Sequence, residues 1–194
     1  MDEAAARKLR FVALQVVGAV AVIHLVAGAA ELARFANAGL LVTYLTGDQL
    51  LSQPEPLLFT VSALAILAGV LAVGLGYLDY RKAYALGIAM MAVYLLSWLA
   101  WHSFLDHGLF GGGEQAAEDH SHAGLVEILA THYVEPMVGI FTGADQPGQV
   151  TLAVISKTLE TVAAAVLLAL YLLDPRVEDP ENPVVAMGGE TEEN

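Results

Sequence analysis

The chain reads as an all-α polytopic membrane protein: four transmembrane helices and a long structured outer loop that contains an amphipathic helix. Three observations predict this. Hydrophobic residues fill 57% of the 194 positions and charged residues only 15%, with a mean hydropathy of +0.61. Even before its 18 glycines are added, that exceeds the roughly 45–50% apolar share of soluble domains. The apolar residues also gather into four blocks, 11–33, 57–78, 83–104 and 150–173. Each matches the ~20 residues, rising ~1.5 Å apiece, that cross the ~30 Å hydrocarbon layer. All seven prolines fall between or after these blocks, as continuous helices require. Residues 1–173 therefore form one transmembrane domain.

The ends of the blocks set the expected orientation, because Lys and Arg are retained on the cytoplasmic side. Arg7, Lys8 and Arg10 precede the first block, Arg81 and Lys82 lie in the turn between the second and third, and Arg176 follows the fourth. The segment 106–149 has seven acids and no Lys or Arg. Only Arg34 dissents. Both termini are thus expected inside a cell membrane, with loops 34–56 and 106–149 outside. A cleaved signal peptide is the alternative for the first block, but the stretch is longer than a usual h-region.

Each connection has its own character. Residues 40–51 (LLVTYLTGDQLL) are too few to span and too apolar for a plain linker, so they are expected at the interface or dipping into the protein. The 44-residue loop 106–149 exceeds the ~12–15 residues of an unstructured connection, so it should hold structure. Within it, 124–141 has helical periodicity: Glu127, Thr131 and Glu135 form one stripe with His132 beside it, and Leu125, Leu129, Tyr133 and Met137 lie opposite. Residues 174–194, with seven acids, one Arg and several Pro and Gly, read as a disordered acidic tail.

Composition excludes several chemistries. No Cys is present, which removes thiolate metal sites, iron–sulfur ligation and thiol nucleophiles. A net charge of -13 with three lysines argues against nucleic acid as a partner. The acid excess suggests a halophile's protein. There is no P-loop, dinucleotide-binding glycine pattern, nucleophile elbow or zinc-protease helix motif. The partners expected are the lipid bilayer and a second copy or another membrane subunit, because glycine and alanine runs such as 69–74 and those around Gly87 let helices approach closely.

Five of six histidines fall between positions 102 and 132. His102 and Asp106 share a helix face at i, i+4, with His107 next to them, and His132, Glu127 and Glu135 could close the set from the loop helix. Imidazole with carboxylate suits zinc, copper(II) or iron. His120 and His122 read as a flexible metal-catching patch, or all of these histidines as a solvated loop. Haem would need His24 and His102 as axial ligands, yet their depths differ by ~8 Å at 1.5 Å per residue, which disfavours it. Trp98, Trp101 and Tyr94 read as an interfacial aromatic belt.

Inside the blocks, ionisable groups are costly and therefore functional candidates. His24 lies in the first, with Glu31 seven residues further on, and Lys157 and Glu160 stand one turn apart in the fourth. Three roles follow: a metal-binding or redox-accessory subunit built on the outer histidines, a small transporter or channel using His24, Glu31, Lys157 and Glu160 as a polar path, or a structural subunit in which Lys157 and Glu160 form a buried bridge. The first span with its internal His24, the Pro-containing loop before the second, and the run 68–76 (AGVLAVGLG) leading to Arg81 resemble the DoxX-type small membrane proteins. That resemblance covers about the first half of the chain and implies a four-helix bundle beside redox or quinone chemistry. The long His-rich loop departs from the family's compact pattern.

Overall fold

The computed structural model describes residues 1–100, 125–143 and 149–178. Every regular element among them is helical: α1 Glu3–Asn37, α2 Leu41–Thr46, α3 Gln49–Ser52, α4 Glu55–Gly74, α5 Tyr80–Ala100, α6 Leu125–Leu129, a π-helical turn Ala130–Val134, α7 Glu135–Thr142, α8 Gln149–Leu173 and α9 Pro175–Glu178. Four of these, α1, α4, α5 and α8, are long and apolar enough to cross a membrane. Their exposed faces are studded with large apolar residues such as Phe11, Leu71, Leu86 and Leu172, the composition expected where hydrocarbon is the solvent.

Local chemistry fixes the helix ends. Asp2 caps α1, its Oδ1 accepting from the Ala5 N–H at 2.7 Å, which satisfies one of the unpaired first-turn donors. α4 stops in a Schellman motif. Gly76 takes φ +77, the Tyr77 N–H reaches the Ala72 carbonyl at 2.8 Å, and the Gly76 N–H reaches Val73 at 3.1 Å. Glycine adopts that left-handed conformation without a Cβ penalty. The chain then enters α5 under an Asp79 cap.

α1 and α8 are the centre of the bundle, and the two run antiparallel. Buried positions on α8 recur as Ser156, Glu160, Ala163 and Leu167, then Leu170 and, just past the helix end, Asp174. That alternation of four and three is a heptad seam, the pattern of a left-handed crossing. Facing it are Ala13, Val17, Val20 and Ala21 of α1, joined in the core by Ile66, Tyr84 and Met91. α4 packs against α1 and α5 against α8. α4 and α5 follow each other through a tight turn but touch little, so a cleft opens between them. α1 comes close to α4 at Gly28, where an added Cβ would sit 2.5 Å from Thr60 Oγ1 and 2.6 Å from the Pro56 carbonyl.

Some expectations need correcting. Leu125 and Leu129, placed on the buried stripe of the loop helix, are 55% and 41% exposed, whereas Ile128 is buried. A π-helical turn follows: the Glu135 N–H bonds Ala130 five residues back, and the inserted residue breaks the i, i+4 register between α6 and α7. Tyr94 is not an interfacial belt residue, since it is buried and its hydroxyl bonds Ser62. Among the described residues, Gly69 and Gly74 meet no other part of this chain, as a Cβ at either finds no atom within 4 Å. Asp174, assigned to the start of the tail, is 1% exposed, and α9 follows it. Residues 40–51 form α2 and α3, pinned by Tyr44, whose ring stacks on Phe35 and whose hydroxyl donates to the Gln53 carbonyl at 2.9 Å.

Candidate functional site

A polar centre lies deep within the apolar bundle, built from α1, α5 and α8. His24 projects from α1 and is 3% exposed. Its Nδ1 lies 2.9 Å from the carbonyl of Val20, one turn back on the same helix. A carbonyl only accepts, so Nδ1 carries a hydrogen, and the other nitrogen is left to face α8. There Nε2 lies 3.4 Å from Oε1 of Glu160, whose side chain is fully buried. The ring stacks on Tyr94 with centroids 4.1 Å apart and meets the edge of Phe59 at 4.9 Å. Tyr94 is fixed in turn by donating to Ser62 Oγ at 2.7 Å, and Ser62 donates to the Leu58 carbonyl.

Glu160 gathers the remaining groups. The Lys157 ammonium donates to Oε2 at 2.6 Å and to Oε1 at 2.8 Å, and touches the Tyr94 carbonyl at 3.5 Å. Ser156 donates to Oε1 at 2.8 Å. The i, i+3 spacing brings Lys157 and Glu160 together, and the i, i+4 spacing adds Ser156. His24, Lys157 and Glu160 therefore meet. Glu31 does not join them, because it pairs with Arg34 on a solvent- or headgroup-facing stretch of α1.

The contact between His24 and Glu160 has a chemical requirement. With Nδ1 protonated, a neutral imidazole turns a lone pair on Nε2 toward the carboxylate, and two acceptors repel. A single added proton, on Nε2 or on Oε1, turns the repulsion into a hydrogen bond. At 3.4 Å the pair stands slightly beyond the 2.7–3.2 Å of a formed N–H···O bond. The geometry is that of a place for one exchangeable proton. Nδ1 of His24 thus faces the Val20 carbonyl and Nε2 faces Glu160, both inside the bundle.

The outer histidine set is placed only in part. His102, Asp106, His107, His120 and His122 lie outside the described residues. Glu127, His132 and Glu135 are exposed on α6, the π-helical turn and α7. Among the described residues no group of three His, Asp or Glu is arranged to hold a metal ion.

A second polar cluster, absent from the sequence reading, closes the opposite end of the α1–α8 seam. The Tyr84 hydroxyl donates to Asp174 Oδ2 at 2.6 Å, Arg10 Nε approaches the same oxygen at 3.7 Å, and the Arg176 N–H donates to Oδ1 at 3.0 Å. Arg10 and Arg176 share Glu3, and both guanidinium groups lie over Tyr80, at 5.5 and 5.3 Å from its centroid. One signal could have found it: Arg10 and His24 are fourteen residues apart, as are Glu160 and Asp174, so an antiparallel pairing that joins one couple joins the other.

No family model, curated protein or solved structure matches this chain. The resemblance to DoxX-type proteins accordingly rests on His24 and the 68–76 run themselves.

Proposed function

We propose that this chain is a multi-pass membrane protein, with both termini cytoplasmic, that moves protons across the bilayer, alone or coupled to a small solute, by loading and unloading the His24–Glu160 pair. The observation that carries the reading is the approach of Nε2 to Oε1 at 3.4 Å inside an apolar bundle, with the tautomer of His24 fixed by Val20. Burying an imidazole, a carboxylate and an ammonium within hydrocarbon is costly, and such groups mark proton relays and ion paths. A purely structural bridge would need only Lys157 and Glu160. His24 is the surplus member, and its Nε2 is the atom that faces the Glu160 carboxylate across the α1–α8 seam. Of the three roles expected from the sequence, the polar path and the structural bridge both have residues that meet, Lys157 with Glu160, and the approach of His24 to Glu160 is what favours the path.

Two measurements test this. Infrared difference spectra of the protein in lipid, recorded between acid and alkaline pH, should contain a protonated-carboxyl band that disappears in Glu160→Gln. In liposomes holding a trapped pH dye, an imposed potassium diffusion potential should drive proton entry with the wild type and not with Glu160→Gln or His24→Phe. A silent carboxyl region together with equal proton entry in all three proteins would overturn the proposal.

A further inference from the structure

The cleft between α4 and α5 is the second feature that asks for an occupant. It has a volume of about 590 Å³, within the ~300–1,000 Å³ of small-molecule sites. Ala13 and Val17 of α1 form part of its wall, with Ile66 and Gly69 from α4 and Gly87 and Met90 from α5. The lining is almost wholly apolar along its length. Its polar members, Arg10, Tyr80 and Tyr84, all belong to the end of the bundle where α1 and α5 begin. Gly69 and Gly74 keep the cleft open, since side chains there would enter empty space.

Charge is distributed to match. Six of the eight Lys and Arg residues of a chain with net charge -13 gather at that same end: Arg7, Lys8, Arg10, Arg81, Lys82 and Arg176. Five acids lie there with them, Asp2, Glu3, Asp79, Asp174 and Glu178, of which Glu3, Asp79 and Asp174 pair with Arg10, Lys82 and Arg176. Four of the six basic residues, Arg7, Lys8, Arg81 and Lys82, are exposed around it. Among the described residues, Arg10 Nη1 is a buried donor with no acceptor, which is a costly state for a guanidinium. A slot that is apolar along its length and cationic at one end has the polarity of an acidic lipid. Basic sites between transmembrane helices on the cytoplasmic side bind lipid headgroups on this basis.

We propose that the cleft holds one anionic phospholipid of the adjoining leaflet, with an acyl chain between α4 and α5 and the phosphate at the Arg10 end. Nη1 is the Arg10 donor left for a phosphate oxygen, since Nη2 is held by Glu3 and Nε by the Ala6 carbonyl. The exposed Arg7, Lys8 and Arg81 add long-range attraction at the headgroup level. This site is separate from the His24–Glu160 pair and does not depend on its role.

Native mass spectrometry of delipidated protein, titrated with phosphatidylglycerol or phosphatidylcholine of the same chains, tests the idea. The wild type should retain a single phosphatidylglycerol at a concentration about tenfold below that needed for phosphatidylcholine. Gly69→Phe places a ring in the cleft without a backbone clash, and it should lose the bound lipid while helix content and melting temperature hold. The double variant Arg7→Gln/Lys8→Gln changes two exposed residues and should weaken phosphatidylglycerol several-fold while leaving phosphatidylcholine unchanged. Equal retention of the two lipids would overturn the proposal, as would undiminished retention by Gly69→Phe. Displacement of the lipid by a neutral isoprenoid quinone, or a cleft sealed by a second copy in cross-linking, would also overturn it.

Discussion

His24 Nε2 lies 3.4 Å from Glu160 Oε1, and fourteen residues along the same two helices Arg10 Nε lies 3.7 Å from Asp174 Oδ2. Fourteen residues is two heptads, about 21 Å of helix at 1.5 Å per residue. Antiparallel α1 and α8 are thus joined by two polar rungs with an apolar seam of Ala13, Val17, Val20, Ala163, Leu167 and Leu170 between them. Apolar seams in lipid supply little register, because lipid tails are as apolar as the helices. The two rungs supply it. A slip of one residue would break both.

Glu160→Gln should be the most damaging single change at the upper rung. It leaves the Lys157 ammonium, which is 13% exposed, without its counter-charge, a loss of about 3–5 kcal/mol where buried pairs have been broken. The double variant Lys157→Met/Glu160→Leu removes both charges and should recover most of that loss. Thermal unfolding in detergent of the two singles and the double gives the coupling directly. A double variant no more stable than Glu160→Gln would mean that the ion pair is not what the carboxylate contributes.

Tyr84→Phe tests the lower rung. The Tyr84 hydroxyl donates to a carboxylate that is itself fully buried, so its removal should cost about 1–3 kcal/mol. The effect should be local before it is global. Hydrogen exchange at Asp174 and α9 should quicken while amides around His24 keep their protection. Uniform acceleration through α8 would show that the rung does not act on its own end of the seam.

The four long helices were legible because each carries a proline-free apolar block, although α4 takes Pro56 into its first turn and α1, at 35 residues, runs past the ~20 that span hydrocarbon. Lys157 and Glu160 were legible as a pair, since i, i+3 spacing on one helix is local information. The partnership of His24 with Glu160 was not, because it depends on which faces of α1 and α8 meet. Glu31, equally apolar in its neighbourhood, turns instead to Arg34, three residues away. Asp174 looked like tail because a charged residue followed by proline usually leaves a helix for solvent. It is buried because α5 contributes Tyr84 and α1 contributes Arg10 from far away in sequence. The π-helical turn after Leu129 had no pattern to announce it, while Tyr133 kept its place on the expected stripe, its hydroxyl meeting Thr158 Oγ1 at 2.7 Å.

Gly28→Val should separate α1 from α4. Its Cβ would fall 2.6 Å from a backbone carbonyl, Pro56 O, which cannot swing aside as a side chain does. Overpacking of this kind costs about 1–3 kcal/mol. Gly18→Ala is the control, because a Cβ there meets nothing within 4 Å. It should leave the melting temperature unchanged or raise it slightly, through alanine's helix preference of up to ~1 kcal/mol. Similar losses in both variants would remove the special closeness at Gly28.

The cap of α5 should respond to pH in a defined direction. Asp79 Oδ2 lies 2.7 Å from the Lys82 ammonium, and Oδ1 accepts from the Lys82 N–H at 2.8 Å. The side-chain contact with Lys82 and then this backbone bond hold the Asp79 carboxyl below the usual carboxylate range. A carboxyl whose pKa is lower folded than unfolded stabilises the fold above its unfolded value, about 3.9, and loses that contribution as pH falls through the folded value. Asp79→Ala should therefore cost about 0.5–2 kcal/mol at pH 7, the range for a lost N-cap. The gap to wild type should shrink steadily below pH ~3.9. Asp79→Asn retains an oxygen for the Lys82 N–H and should recover part of the stability with no such pH dependence. Paired melting curves at pH 7 and pH 3 decide it, and a gap of constant size would show that the capping geometry, and not the carboxylate charge, is what Asp79 contributes to the start of α5.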